Sequence, residues 1–221
     1  KQYNLSLKNA FNYFQCSNYT ILGIASNSLA NLTSLKEFNV NGGIIGPLTS
    51  DSFAGLDSLR KLIIEADFLD TTLPSGLFTG HPLLEEIDLQ TAGITSIPAD
   101  TFTGLDQLST LDLRENGLTT LPEGLFQSLT SLTTVELGTN AWNCTCDLAW
   151  LATWSLYTGV SIDVDCSSPS QFVGTTLSRA VASLGCLDSE GLFSSLYYIL
   201  NKTYYVTSSP SFEVIFYSTN L

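Results

Sequence analysis

Four cysteines in the C-terminal half of the chain are the residues best suited to chemistry. Of the five cysteines in the sequence, Cys144, Cys146, Cys166 and Cys186 form a cluster, and one residue separates the first two. Such a cluster can form disulfides in an oxidising compartment, or it can bind zinc. No histidine lies nearby, and zinc sites more often use a Cys-x2-Cys spacing. The cluster therefore favours disulfides and an extracellular, secreted protein.

Other residue types needed for catalysis are scarce. Ser/His/Asp and Cys/His arrangements require a histidine, and the only one is His81, which precedes Pro82 at an apolar position of the repeat described below. Glu85, Glu86 and Asp88 could supply a glycosidase pair, but strand alternation would divide them between two faces. No Gly-rich phosphate loop or His-Glu-x-x-His motif is present. We predict a non-catalytic protein that uses no cofactor or metal.

The charge balance excludes several classes of partner. The chain has 21 acidic and 8 basic residues, a net charge of -13, which would repel nucleic acid and anionic membranes. No stretch approaches the ~20 apolar residues of a membrane span. The chain lacks Met and begins with Lys1, which predicts that a targeting segment has been removed. Five Asn-x-Ser/Thr sequons predict N-linked glycans at Asn4, Asn18, Asn31, Asn143 and Asn201.

A repeat of about 24 residues positions these groups. Pro74, Pro98 and Pro122 are 24 residues apart, and a phenylalanine column follows nearly the same step. Five copies of L-x-x-L-x-L lie in register: Leu35-x-x-Phe38-x-Val40, Leu59-x-x-Leu62-x-Ile64, Leu84-x-x-Ile87-x-Leu89, Leu108-x-x-Leu111-x-Leu113 and Leu132-x-x-Val135-x-Leu137. Each copy predicts a short strand with one face inward, and stacked copies would close a core that no single repeat can close.

This pattern resembles the extracellular class of the leucine-rich-repeat family over roughly residues 8–143. The resemblance implies an α/β repeat solenoid, a horseshoe whose concave face is a parallel sheet of short strands. In the family, an Asn in the turn after each strand bonds neighbouring backbone groups. Asn116 and Asn140 fit that position, whereas Gly43, Asp67 and Ala92 do not, so we expect less regular N-terminal repeats.

The N-terminal end reads as a degenerate capping repeat. Shifting the first repeat back by 24 residues places Cys16 at a core position, where it is either a small buried hydrophobe or part of a disulfide between chains. Tyr3, Leu5 and Leu7 alternate with polar residues and predict one more strand. We therefore assign residues 1–31 to an N-terminal strand and capping repeat.

The segment after the last repeat resembles the cysteine-rich C-terminal cap of the Slit, Nogo-receptor and variable-lymphocyte-receptor families. The similarity rests on the run from Asn140 to Leu148, on its Cys-x-Cys pair and on the tryptophans that follow. It implies that Cys144 pairs with Cys166 and Cys146 with Cys186. We thus expect leucine-rich repeats over 32–140, a cap over 141–187 and a separate segment over 188–221.

The positions between the inward leucines predict a candidate binding face. Strand alternation sends them to the concave surface in three columns, where acids outnumber bases. The candidate residues are Tyr13, Glu37, Lys61, Ile63, Glu65, Glu86, Asp88, Asp112, Arg114 and Glu136. The alternative is a solvated acidic surface without a ligand.

The segment 188–221 is rich in aromatic residues and predicts a β-hairpin rather than a linker. Its candidate assembly residues are Tyr197, Tyr198, Tyr204, Tyr205, Phe212, Phe216 and Tyr217. Two hypotheses follow for a protein acting by protein–protein contact. The first is a self-assembling subunit of an extracellular filament or matrix, a homo-oligomer or polymer joined head to tail through its terminal segments. The alternative is a receptor or adhesion module that binds a protein on its concave face.

Overall fold

The structure, a computed structural model, describes residues 12–21, 23–68 and 70–186. Within these ranges six parallel strands form one sheet in sequence order, so each strand pairs with the next along the sequence. The strands are β1 (Tyr13–Ile21), β2 (Glu37–Ile45), β3 (Lys61–Phe68), β4 (Glu86–Asp88), β5 (Thr110–Asp112) and β6 (Thr134–Glu136). The connections between β2 and β6 are turns without helices. This arrangement confirms the predicted parallel-strand solenoid.

The strands form where apolar and polar residues alternate. In β3 the inward side chains of Leu62 and Ile64 are fully buried, and the residues between them are half-buried. Ile87, Leu111 and Val135 occupy the same inward position in β4, β5 and β6 and are also buried. Because each of the short strands β4, β5 and β6 buries only one apolar side chain, the core depends on stacking successive repeats.

A column of phenylalanines fills the side of the core opposite the sheet. Its buried members are Phe53, Phe78, Phe102 and Phe126. The rings of the first three stack at centroid distances of 6.2 and 5.9 Å. Phe126 packs against Trp150 and Trp154 at 5.9 and 5.1 Å, so the column continues into the segment that follows the last repeat. The hydrophobic core is therefore continuous from the repeats into the cap.

Asparagine side chains organise the turns of the C-terminal repeats. Nδ2 of Asn116 donates to the carbonyls of Leu89, Leu113 and Arg114 at 2.9–3.0 Å. Its Oδ1 accepts from the backbone N–H of Ile94 at 2.9 Å. Asn140 makes the equivalent hydrogen bonds in the next repeat. One amide thus contacts four backbone groups, of which the Arg114 and Leu113 carbonyls also accept from the Thr91 N–H and from Nδ2 of Asn140.

Where Gly43 and Asp67 occupy the asparagine position, the backbone pairs with itself instead, whereas β4 stays short although Ala92 occupies that position in its repeat. β2 and β3 run for 9 and 8 residues, against 3 in each of the later strands. Asp67 lies opposite Ile44 within the extended ladder, and Phe68 donates its N–H to the carbonyl of Ala92 at 3.1 Å. The expected irregularity of the N-terminal repeats therefore takes the form of longer strands.

The extended part of β2 contains a bulge. The register with β3 shifts between Asn41 and Ile44, which leaves Gly42 and Gly43 in the bulge. Both glycines have positive φ angles, 71° and 92°, a region that residues with a Cβ rarely adopt.

A compact cap follows the last strand. It contains a 3-10 turn (Cys146–Leu148), α1 (Ala149–Thr158), a second 3-10 turn (Ser170–Phe172) and α2 (Leu177–Leu184). Trp142 at its entrance is fully buried and donates Nε1–H to the carbonyl of Leu137 at 3.0 Å. α1 ends at Thr158, and the left-handed conformation of the following Gly159 caps the helix.

A candidate protein-recognition face

The strand register aligns the predicted columns on one side of the sheet, which we call the sheet face. The first column contains Tyr13, Glu37, Lys61, Glu86, Thr110 and Thr134, and the second contains Gln15, Asn39, Ile63, Asp88, Asp112 and Glu136. Consecutive members of each column are direct register partners. Side chains on neighbouring strands lie ~5 Å apart in such pairs, so each column is a continuous row.

The two cations of the sheet face are already engaged with neighbouring acids. Nζ of Lys61 lies 2.8 Å from Oε1 of Glu86, and this hydrogen bond raises the pKa of Lys61. Arg114 donates from Nε and a terminal nitrogen to both carboxylate oxygens of Asp112, at 3.1, 3.0 and 2.5 Å. The hydrogen bond to Asp112 raises the pKa of Arg114. Acidic side chains therefore outnumber basic ones on the sheet face, and both basic residues predicted there are already paired with a carboxylate.

Asp88 lies among these acidic side chains of the sheet face. Burial raises the pKa of its carboxyl, and repulsion from Asp112 and Glu86 acts in the same direction. The backbone N–H of Gln90 donates to Oδ1 of Asp88 at 3.0 Å, and together with Arg114 it opposes the rise in pKa. No described cation forms an ion pair with Asp88.

The third predicted column lies further along the chain in each repeat and contains Ser17, Asn41, Glu65, Gln90, Arg114 and Gly138. Nδ2 of Asn41 donates to Oε2 of Glu65 at 2.7 Å, and Nε2 of Gln90 donates to Glu115 at 2.6 Å. Its last member, Gly138, has no side chain, and the carboxylate of Asp163 occupies the space that a Cβ would need.

The sequence reasoning missed Asp163, which comes from the cap rather than from a repeat. Its Oδ1 accepts the backbone N–H of Leu137 at 2.7 Å. A signal was present in the sequence, because Val160, Ile162 and Val164 alternate with polar residues as a strand would. That alternation places Asp163 on the side away from the two buried valines.

Two disulfides hold the cap. Cys144 bonds to Cys166 and Cys146 to Cys186, the pairing that the family resemblance implied, with Cα–Cα distances of 5.6 and 5.3 Å. The first bond is buried, whereas Cys146 is exposed. Cys16 is a free, partly buried thiol packed against the core, and burial raises its pKa.

Two of the predicted glycan acceptors have side chains whose positions are described. Asn31 and Asn143 are both exposed and lie outside the columns of the sheet face. Oδ1 of Asn143 accepts a hydrogen bond from the Ser168 hydroxyl at 2.9 Å. Asn4, Asn201 and all seven predicted assembly residues of the segment 188–221 lie outside the described residues, as does the side chain of Asn18.

The residues considered for catalysis are engaged in structural contacts. His81 is buried, with Nε2 2.8 Å from the carbonyl oxygen of Phe53 and Nδ1 3.2 Å from that of Phe78. Glu85 pairs with Arg60, and Glu86 pairs with Lys61 as described above. Across the described ranges, no group of three or more His, Cys, Asp or Glu side chains could hold a metal ion. None of the helices in the same ranges has the length and apolar character needed to cross a membrane.

Comparison with known proteins agrees with this architecture. Residues 71–141 match the family described as leucine rich repeat. A stretch of 44 residues is 48% identical to the immunoglobulin superfamily containing leucine-rich repeat protein of Pongo abelii. That match covers 18% of this chain and 10% of the relative. Leucine-rich repeats generally serve protein–protein contact rather than catalysis. Residues 71–141 thus match the leucine-rich-repeat family, and the described residues form a leucine-rich-repeat solenoid closed by a disulfide-bonded cap.

Proposed function

We propose that the protein recognises a basic protein surface through the sheet face. The observation that carries this proposal is the row formed by Asp88, Asp112 and Glu136, which the register places side by side on three adjacent strands. Arg114 forms an ion pair with Asp112 alone within that row, and it acts on Asp88 and Glu136 only from a longer distance. A partner that supplies lysine or arginine side chains would complete the electrostatics of the row and would be attracted to it over a distance.

The row also has neighbours that could give a partner apolar contact. Ile63 precedes Asp88 in the second column and is half-buried, and Tyr13 at the start of the first column is 45% exposed. Aromatic and aliphatic side chains of this kind often supply much of the binding energy at interfaces, with charges setting specificity. The proposed partner therefore combines basic side chains with an apolar contact.

A pair of charge-reversal variants tests the proposal. The first changes Glu37→Lys and Glu136→Lys, which are half-buried on the sheet face and form no ion pair with a described cation. The matched control changes Asp57→Lys and Asp106→Lys, which are exposed in turn segments between strands. Both variants alter the net charge equally, so non-specific electrostatics would affect them to the same extent.

Binding would be measured by biolayer interferometry against purified extracellular proteins that range from acidic to basic. We expect basic partners to bind the unmodified protein and the turn-segment control, and to lose about tenfold or more in affinity for the sheet-face variant. Equal loss in both variants, or partners without a basic surface, would show that the sheet face is not the recognition site.

The proposed setting is extracellular, with N-linked glycans at the exposed sequons. Two disulfides are typical of proteins from oxidising compartments and support this setting. Glycans at Asn31 and Asn143 would leave the sheet face open to a partner. Mass analysis before and after glycosidase treatment of the secreted protein tests the modification, and an unshifted mass would argue against it.

Head-to-tail self-assembly is a second proposal, supported by the difference between the two ends of the sheet. The cap covers the β6 end, whereas no described strand pairs with the outer edge of β1. An edge strand of this kind can accept a further strand from another molecule. Light scattering of the full-length protein and of a version truncated after Leu187 would test it. Polymers formed only by the full-length protein would support assembly, and monomers in both samples would exclude it.

A further inference from the structure

The sequence contains two Asn-Gly pairs, Asn41–Gly42 and Asn116–Gly117. In such a pair the backbone nitrogen of glycine can attack the Cγ of asparagine, because glycine has no side chain to hinder the approach. A new bond from that nitrogen to Cγ closes a succinimide ring, and the bond between Cγ and Nδ2 breaks and releases ammonia. Water then opens the ring to aspartate or isoaspartate, so the net reaction consumes one water and releases one ammonia.

The structure holds Asn116 in a conformation that opposes this reaction. Its side chain makes the three donated and one accepted hydrogen bonds described above, all to backbone groups. Attack by the nitrogen of Gly117 requires the side chain to rotate away from these partners and leave backbone groups unpaired. The space around Gly117 is also restricted, since a Cβ there would meet the Thr95 side chain at 2.9 Å. Asn116 can therefore react only when the repeat opens locally.

Asn41 has much weaker restraints. It is exposed, and the hydrogen bond from its Nδ2 to Glu65 joins two surface groups. The following residue, Gly42, lies in the bulge of β2 with a φ of 71°. The bulge interrupts the ladder with β3, whereas Asn41 and Gly43 stay in register with Ser17 and Tyr19 of β1. Small backbone rotations at Gly42 therefore disturb the pairing with β1 but few pairs with β3.

We propose that Asn41–Gly42 is a site of spontaneous deamidation on the sheet face and that Asn116–Gly117 is protected by the fold. The reaction replaces the amide that donates to Glu65 with a carboxylate, so a hydrogen bond of 2.7 Å becomes a contact between like charges. The isoaspartate product also adds a methylene to the backbone within the bulge. Both products make the third column more acidic at β2, two strands from Asp88, the nearest member of the row proposed for recognition. The reaction itself does not depend on that proposed function.

Timed incubation of the folded protein in water labelled with heavy oxygen tests the inference, because each ring opening incorporates one labelled oxygen. Peptide mapping under conditions that prevent further deamidation would give the rate at each asparagine. We expect Asn41 to convert at least ~10-fold faster than Asn116 in the folded protein. The same incubation in concentrated urea is the matched control, in which both asparagines should convert at similar rates.

The outcomes separate the effect of the fold from that of local sequence. Equal rates in the folded protein, or faster conversion of Asn116, would overturn the proposal. If the two rates differ by the same factor in urea, the local sequence around each Asn-Gly pair causes the difference. That result would overturn the proposed protection of Asn116 by the fold. An Asn41→Gln variant should show no conversion at this position while Asn116 keeps its rate, because glutamine forms the equivalent larger ring far more slowly. Labelled oxygen still appearing in the variant's residue 41 peptide at the original rate would place the reaction elsewhere.

Discussion

Oδ1 of Asp163 accepts the backbone N–H of Leu137 at 2.7 Å, a role that belongs to a strand carbonyl in the preceding repeats. The equivalent N–H groups of Leu89 and Leu113 donate to the carbonyls of Asp112 and Glu136, both at 2.9 Å. Within the described residues, no further repeat follows Leu137 to supply a carbonyl. A carboxylate from the cap therefore replaces the next strand and closes the edge of the sheet.

Removing this carboxylate should weaken the junction between the repeats and the cap. Asp163→Ala leaves the Leu137 N–H without its acceptor and should lower the free energy of unfolding by about 1–3 kcal/mol. Asp163→Asn keeps an amide oxygen that can accept the bond and should cost less than half of that. Urea unfolding of both variants measures the difference. Equal destabilisation by Asn and Ala would mean that the hydrogen bond to Leu137 contributes little.

The amide network of Asn116 should contribute more than an exposed amide does. Asn116→Ala removes the side-chain partners of the Leu89 carbonyl and the Ile94 N–H and one of the bonds to each of the Leu113 and Arg114 carbonyls, and should lower the free energy of unfolding by about 2–4 kcal/mol. Asn41→Ala is the matched control, because it makes the same chemical change at an exposed position and should cost less than about 1 kcal/mol. Denaturation of the two variants side by side measures both values, and similar losses would contradict this account of the turn.

The sequence predicts the repeated part of the fold well because its signal is repeated. A single apolar residue such as Leu62, Ile87 or Leu111 does not by itself show whether the chain forms a strand there. Because such residues recur at a fixed interval, the pattern predicts where each strand lies, which face points inward and how neighbouring strands align. The columns of the sheet face follow from the same register. Pairing of the cap cysteines came from the family resemblance and not from spacing.

Features that depend on a single tertiary contact could not be predicted in the same way. Asp163 and Leu137 are 26 positions apart in the sequence, and the residues around Asp163 do not indicate that its side chain bonds to Leu137. The absence of Asn at Gly43 and Asp67 predicted irregularity, but not that β2 and β3 would lengthen. The backbone groups of a turn can bond either to an asparagine side chain or to the backbone of a longer strand. Which of the two occurs depends on the backbone groups of the neighbouring repeat, and only the folded structure shows their positions.

Because the pKa of Asp88 is raised in the folded protein, ionisation of its carboxyl should lower the stability of the fold. Its native carboxyl holds a proton more tightly than in the unfolded state, so stability falls as pH rises from the ordinary aspartate range through the raised native pKa. Asp88→Asn keeps an acceptor for Gln90 and should therefore stabilise the protein at neutral pH, by about 0.5 kcal/mol or less given partial exposure. The gain should vanish where Asp88 is protonated in both states. Asp106→Asn, which removes an equal charge from an exposed turn, should show no such pH dependence in urea unfolding.

The two disulfides should differ in their susceptibility to reduction, because thiol–disulfide exchange requires access of a thiolate to a sulfur. Cys144 and Cys166 are buried, whereas Cys146 is exposed and its bond to Cys186 lies at the surface of the cap. Brief treatment of the folded protein with a small thiol, followed by alkylation and peptide mapping, should label Cys146 and Cys186 first. In urea the two bonds should be reduced at similar rates, since the burial that protects the first bond is lost. Simultaneous labelling of all four cysteines in the folded protein would instead mean that the cap opens as one unit before either bond is attacked.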